Sequence, residues 1–327
     1  MNESQTRQPG TVAPNPAARP NDVQDMFGTT LGFLAFFIWG LFPIYFAFLR
    51  EVPPLVTLAF RATFTTVLLA PMLLCLKRGP AIVKALRNPL YVAGLFVTMA
   101  TTAASWGFFI WLVAINHTTY ASLGNYACPL VTVAFAAVFF RERLRALQLV
   151  AIMLAACAVC VFAAGVGRLP WESVVVAFVF AIYSVLRKMM DVDSTTALSI
   201  ETLFALPIAV GYIFYEAFSP NVPPSWSTDI RTLLLLIGAG ALTAIPLLLF
   251  GAAAHRCRLM TLAILNYLTP TGQFVCGTYL LHEKTTIYQW LSFVVIWIAL
   301  TFFTLDLFLH EKERVLEQNE KKAPNSR

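Results

Sequence analysis

Charge is what this chain has least of. Only 12% of its 327 residues are charged, against 58% that are apolar. A soluble domain carries about a quarter charged residues, and half that share leaves too little polar surface to coat a globule in water. Chemical motifs are equally scarce: there is no GxxxxGK[ST], GxSxG, HExxH or GxGxxG. Their absence removes most of the support for ATP-driven transport from within this chain and for the common hydrolase and dinucleotide chemistries. The histidines (117, 255, 282 and 310) are scattered, without metal-ligand spacing, so no metal and no cofactor is expected. The six cysteines lie in or beside apolar stretches rather than in long loops. They are read as buried free thiols, including Cys157 and Cys160, whose CxxC spacing falls in LAACAVCVFAA. A net charge of +6 does not indicate nucleic acid, because the cations sit in short segments between apolar runs.

Those runs are the dominant feature. A membrane span needs about 20 apolar residues, and ten candidates follow one another: 27–48, 54–76, 89–114, 118–140, 146–165, 171–187, 196–217, 232–254, 259–281 and 286–309. The sixth is the shortest. Residues 1–26 are polar and rich in Pro, Asn and Gln, and read as a disordered tail; 310–327 form a second tail. Of the 23 Lys and Arg residues, 18 fall in segments on one side, four on the other, and Arg61 lies inside a span. The positive-inside rule then places both termini in the cytoplasm. Trp171, Trp226 and Trp290 fall at the opposite interface, as an aromatic belt would. Asn116-His117-Thr118 is formally a glycosylation sequon, but its loop is so short that it is read as chance.

A shift of 141 residues aligns ASLGNYACPL, from Ala121, with LAILNYLTPT, from Leu262. Asn125, Tyr126 and Pro129 fall on Asn266, Tyr267 and Pro270; Glu142 and Gln148 fall on Glu283 and Gln289. Apolar composition does not generate coincident polar residues and prolines within spans. The chain is therefore read as all-α and polytopic, with ten transmembrane helices in two five-helix halves, 27–165 and 171–309. Five is odd, so the halves are inverted, an arrangement recurrent in secondary transporters.

FIWGLFPIYF (37–46), the NYxxP…FxxERxRxxQ run (125–148), SVLRK (184–188) and IETLFALPIA (200–209) resemble the RarD-type branch of the EamA transporters, within the drug/metabolite transporter superfamily. The resemblance runs from about Phe27 to Phe308. It implies two inverted EamA repeats, a bacterial inner membrane, and small-molecule movement by alternating access. It assigns no cargo, since the branch takes its name from a drug-sensitivity association.

Among individual residues, Arg61 is the sharpest signal. A charge within a span costs at least about 2.5–3.5 kcal/mol unless paired or wetted; the plain alternative is snorkelling to the nearby headgroups. Glu201 occupies the equivalent place in the second half. It is a candidate for substrate contact, charge balance or proton coupling. Asn125 and Tyr126 are expected near the depth of Arg61, and Asn266 and Tyr267 near that of Glu201, as cavity lining or interhelical glue. Pro129, Pro270 and, in the first span, Pro43 are expected to kink their helices or act as gating hinges. Trp39, Trp106 and Tyr183, with Tyr45 and Trp111, offer aromatic surface for an organic cargo. Glu142 and Glu283 are read as surface ion-pairing groups, and Asp306 as an interfacial residue without a role.

The reading is a secondary transporter exporting small organic metabolites or drug-like compounds. Its expected partners are that substrate, the lipid bilayer and, if Glu201 couples, protons; nothing specifies an oligomer. The alternatives are a non-transporting sensor or assembly partner, which would need an output domain, and an embedded lipid-modifying enzyme, which would need clustered His, Asp or Glu at one membrane face. A channel differs from a carrier in lacking saturable exchange.

Overall fold

The computed structural model describes residues 26–75, 79–140, 144–190, 192, 194–218, 229–254, 256–257 and 259–322. Residues 1–25 of the expected N-terminal tail, Glu142 and Trp226 lie outside these residues, while Met26 opens the first helix. Among them, every regular element is helical. In chain order these are α1 (Met26–Ala47), α2 (Pro54–Cys75), α3 (Gly79–Leu86), α4 (Pro89–Ala114), α5 (Thr118–Phe140), α6 (Ala146–Val166), α7 (Trp171–Met189) and α8 (Ser194–Ala217). They continue with α9 (Ile230–Ala254), α10 (Leu259–Asn266), α11 (Leu268–Val275), a π turn (Cys276–Leu280) and α12 (Ile287–Lys322).

Eight of these helices are long and apolar enough to cross a membrane. The two remaining expected spans differ from the other eight. α7 has 19 residues but carries Glu172, Arg187 and Lys188. The stretch 259–281 is not one helix. Pro270 has no N–H to give the carbonyl of Asn266, and the chain breaks at Tyr267, whose own N–H bonds to Ile264 at 3.1 Å. α1 and α5, by contrast, continue as single helices through Pro43 and Pro129. α12 runs on through the expected C-terminal tail to Lys322. At 36 residues it is about 54 Å long by helix rise, well beyond the ~30 Å of a hydrocarbon core.

The halves are interleaved rather than laid side by side. α6 packs along α12, α5 along α7, α2 along α9, and α1 against α9 and α11. Each of these pairs joins the first half to the second, and the main core draws Phe42, Phe60 and Tyr126 together with Leu236, Phe274 and Phe293. One close crossing is between α1 and α11. A Cβ added at Gly272 would lie 2.8 Å from the Gly40 Cα, so the two backbones touch. Side-chain hydroxyls then serve the exposed carbonyls of this crossing: Thr269 donates to Phe36 O at 3.1 Å, and Ser122 to Pro270 O at 2.7 Å.

The repeat is visible in hydrogen bonds as well as letters. Gln148 accepts at Oε1 from the Arg145 N–H (3.2 Å), and Gln289 from the Thr286 N–H (2.7 Å). Each glutamine reaches back three residues to satisfy the N-cap N–H of the last helix of its half.

Three expectations are corrected. Glu283 is not a surface ion-pairing group. It is 8% exposed, and its two oxygens accept from Thr118 N–H (2.5 Å) and Thr119 N–H (2.9 Å). A carboxylate there meets the positive end of the α5 dipole and two N–H groups that have no helical partner. Asp306 is 4% exposed and accepts at Oδ2 from Arg145 Nη1 (2.9 Å) and Gln148 Nε2 (2.8 Å), tying α12 to the start of α6. Cys157 and Cys160 are exposed on α6, whereas Cys128 and Cys276 are buried. A helix face turned to lipid is as apolar as a core, so apolar sequence does not distinguish the two.

An alanine at Gly272 overpacks the α1–α11 crossing, which costs about 1–3 kcal/mol in a close-packed interior. Gly272→Ala is expected to lower the thermal midpoint of the detergent-purified protein. Gly251→Ala, whose methyl would meet nothing within 4 Å, is expected to leave it unchanged. Equal midpoints for the two variants would show that this crossing is not tight.

Candidate functional site

Arg61 is the eighth of the 22 residues of α2 and is 8% exposed. Its guanidinium turns into the bundle, not toward headgroups, so the snorkelling alternative is set aside. The carbon Cζ sits 3.7 Å from the centroid of the Trp106 ring on α4, and Nε donates to Thr243 Oγ1 on α9 at 3.0 Å. Thr243 in turn donates to Ala239 O at 3.0 Å, which fixes its hydroxyl as an acceptor toward Arg61. Among the described residues no ion pair to Arg61 is formed. A desolvated cation–π contact contributes about 2 kcal/mol or more, and a hydrogen bond from a charged donor about 1.5–3 kcal/mol. Together they are of the size needed to offset the insertion cost of the charge.

Trp106 is held in an aromatic corner with Phe42 (5.7 Å between centroids) and Phe109 (5.8 Å). Nearby, Tyr45 donates to Leu235 O at 2.6 Å and Thr65 to Gly240 O at 3.3 Å. α2 and α9 cross so closely that a Cβ on Gly240 would meet Phe64 backbone at 2.6 Å.

Glu201, on α8, is 6% exposed. It accepts at Oε1 from Thr98 Oγ1 on α4 at 2.7 Å. Tyr183 and Arg187 of α7 are within electrostatic reach of each other, and both are within reach of Glu201. One terminal nitrogen of Arg187, Nη1, is buried without a hydrogen-bond partner among the described residues. Arg61 and Glu201 thus have matching surroundings. Each is on the second spanning helix of its half, and each bonds a threonine on the third spanning helix of the other half. No ion pair joins the two.

The Asn-Tyr pairs behave differently. Asn125 Nδ2 donates to Gln273 Oε1 on α11 at 2.8 Å. The Tyr126 hydroxyl shares a 2.5 Å bond with Thr271 and accepts from Trp297 Nε1 at 2.8 Å, and the side chain is 1% exposed. This first pair ties α5 to α11 and α12. Asn266 is exposed at the end of α10, and Tyr267 reaches Thr304 on α12. Among the described residues no hydrogen bond links Asn125 or Tyr126 to Arg61, or Asn266 or Tyr267 to Glu201. The two expected polar layers therefore separate into two charged clusters and two tyrosine ties. Trp39 packs on Phe36 (5.4 Å) and Phe250 (5.8 Å), and its indole Nε1 is buried with no hydrogen-bond partner among the described residues.

Sequence reasoning did not single out Thr98, Thr243, Thr271, Gln273, Arg187 or Trp297. Gln273 was open to detection as an amide within TPTGQFVCG. The threonines were not, because Thr is common in apolar helices, where it bonds its own backbone. Arg187 was read as a topology charge and within the SVLRK run, without a role at the site.

Thr243→Val leaves a buried guanidinium without its acceptor, a loss of about 1.5–3 kcal/mol. The variant is expected to unfold at a lower temperature than Thr301→Val, a change at an exposed position on α12 whose hydroxyl bonds the backbone of its own helix. Thermal midpoints in one detergent compare them, and equal values would mean that water or lipid replaces Thr243 at no cost.

The EamA-like transporter family matches the chain over residues 26–164 and 173–305. Protein RarD of Streptomyces exfoliatus is 35% identical over 279 residues, covering 85% of this chain and 88% of the relative. An uncharacterized transporter of Vibrio cholerae is 36% identical over 279 residues, covering 85% and 92%. A solved structure titled only as a crystal structure of protein superposes with a TM-score of 0.54 at 20% identity, covering 85% of this chain and 96% of that one. That likeness concerns the fold alone. With two matched repeats in one interleaved helical bundle, the chain belongs to the EamA-like transporter family, is of the RarD type, and is a multi-pass membrane transporter.

Proposed function

We propose that the chain is a ten-crossing secondary transporter of a bacterial inner membrane, with both termini cytoplasmic, that exports small organic metabolites or drug-like compounds by alternating access. The observation that carries this reading is the reciprocal placement of Arg61 and Glu201. Each buried charge is held by a hydroxyl from the opposite half (Arg61 by Thr243 at 3.0 Å, Glu201 by Thr98 at 2.7 Å). Two inverted halves joined by equivalent contacts can exchange a tight and a loose side at similar energy, as alternating access requires.

In this reading Arg61 offers its terminal guanidinium nitrogens to an anionic or polar group of the cargo, above the Trp106 ring. Glu201, beside Tyr183 and Arg187, supplies charge balance and is the proton-coupling carboxylate. The unpartnered indole N–H of Trp39 is a donor available to cargo between the halves. Asn125 and Tyr126 act mainly as ties that keep α5 on α11 and α12, with Asn266 and Tyr267 as their counterparts in the second half. The break at Tyr267, set by Pro270, lets α10 move against α11. Pro43 and Pro129 bend their helices without breaking them.

Counterflow in proteoliposomes loaded with mixed amino acids, aromatic metabolites and chloramphenicol tests the reading. Wild type is expected to show saturable exchange of one class, and Arg61→Ala to lose it by tenfold or more. Arg61→Lys is expected not to restore exchange, because a point charge lacks the planar stack and the Nε donor. Glu201→Gln is expected to keep exchange while losing accumulation driven by a proton gradient. Flux that never saturates would support a channel instead. Correctly folded protein that exchanges nothing in the pool would count against the carrier.

A further inference from the structure

A groove lies away from the Arg61 and Glu201 side chains. It has a volume of about 620 Å3 and opens on the outside of the bundle between the first turns of α4 and the middle of α8. Val92, Phe96, Val97 and Phe204 make an apolar slot, and Leu86 and Arg87 close one end. Phe96 and Phe204 pack against each other in its lining, with ring centroids 6.3 Å apart. The end formed by α3 has a distinct chemistry. α3 is a short helix held to the bundle by Ala85, which packs with Leu95, Ala197 and Ile200. Its turn continues to Arg87, whose N–H bonds to Val83 O at 3.1 Å. Lys84 and Arg87 are therefore one turn apart on the same side, and both are exposed. Val83 and Leu86 are exposed beside them, at 50% and 37%. A helix with two cations and exposed aliphatics at the mouth of an apolar slot has the layout of an interfacial element.

We infer that this groove is a binding site for one anionic phospholipid, with an acyl chain along Val92, Phe96 and Phe204 and the phosphate on Arg87 and Lys84. Charge complementarity selects the occupant. Basic pockets between helices on the cytoplasmic side bind anionic headgroups, and each basic residue near an anionic surface contributes about 1 kcal/mol, or about fivefold in affinity. Lys188, on α7, adds a further cation to the segments expected on this side, and Asp191 and Asp193, which follow it, lie outside the described residues. The site adjoins the Glu201 cluster. Val97 precedes Thr98, and Phe204 lies one turn beyond Glu201, so a chain in the groove sets the spacing of α4 and α8 across the Thr98–Glu201 bond. The cytoplasmic location of the headgroup end rests on the orientation proposed above.

Native mass spectrometry of the full chain in detergent, titrated with phosphatidylglycerol or phosphatidylethanolamine, tests the site without depending on sidedness or on transport. Wild type is expected to bind the first phosphatidylglycerol about fivefold or more tightly than phosphatidylethanolamine. Lys84→Glu with Arg87→Glu is expected to abolish that preference. Ala93→Trp, at an exposed position lining the groove, is expected to block the chain and remove tight binding of both lipids, with circular dichroism confirming the fold. Glycerol phosphate is expected not to compete; competition by it would show a free-anion site and overturn the lipid assignment. Equal binding of the two lipids by wild type, or a preference that survives the double reversal, would also overturn it. Labelling of Lys84→Cys from one side of sealed vesicles reads the orientation separately. Label entering only from the outside would overturn the topology while leaving the lipid site standing.

Discussion

A charge placed in an apolar helix has to find its partner within the protein, because lipid offers none. Arg61 and Glu201 obey this rule in the same way. Each draws a threonine from the opposite half as a hydrogen-bond partner. Arg61 has in addition the face of Trp106 at 3.7 Å, itself wedged among Phe42 and Phe109. The interleaving of the halves, with α2 on α9 and α4 on α8, follows from the same need. Two separate five-helix bundles would leave both groups without those hydroxyls.

Backbone groups at helix ends face the same shortage of partners. The Glu283 carboxylate closes the start of α5, the N-cap N–H groups at Arg145 and Thr286 are met by Gln148 and Gln289, and Asp306 gathers Arg145 and Gln148 at the start of α6. These polar contacts lie near the ends of the bundle, while its middle is held by the Asn125 and Tyr126 ties, by aromatic packing and by the Gly40–Gly272 contact. That contact brings two backbones together where a single methyl would separate them. It therefore places the broken segment, α10 and α11, directly against α1.

Much of the architecture was legible because apolar runs of span length and a polar repeat within them are rare by chance. Asn125, Tyr126 and Pro129 aligned with Asn266, Tyr267 and Pro270 exposed the duplication, and Arg61 and Glu201 stood out as charges in otherwise uncharged helices. The same letters misled about Glu283 and Asp306. Residues near the end of an apolar run look solvated, and only the approach of a distant helix shows that they are enclosed. Equal letters also took unequal surroundings. Asn125 is tied to Gln273 whereas Asn266 is exposed, because α5 stays one helix through Pro129 while the matching segment breaks before Pro270.

The sequence by itself determined a membrane protein of two related halves, its charge asymmetry, its family resemblance and the two buried charges. These are properties of composition and periodicity along one strand of chain. Only the tertiary structure decided which hydroxyls serve Arg61 and Glu201, that the tyrosines bind helices together rather than join the charges, and that Arg187 lies within reach of Glu201. Each of those depends on which side chains of different helices come to meet. Such pairings are set by how ridges, glycines and polar caps of separate elements come to rest against one another.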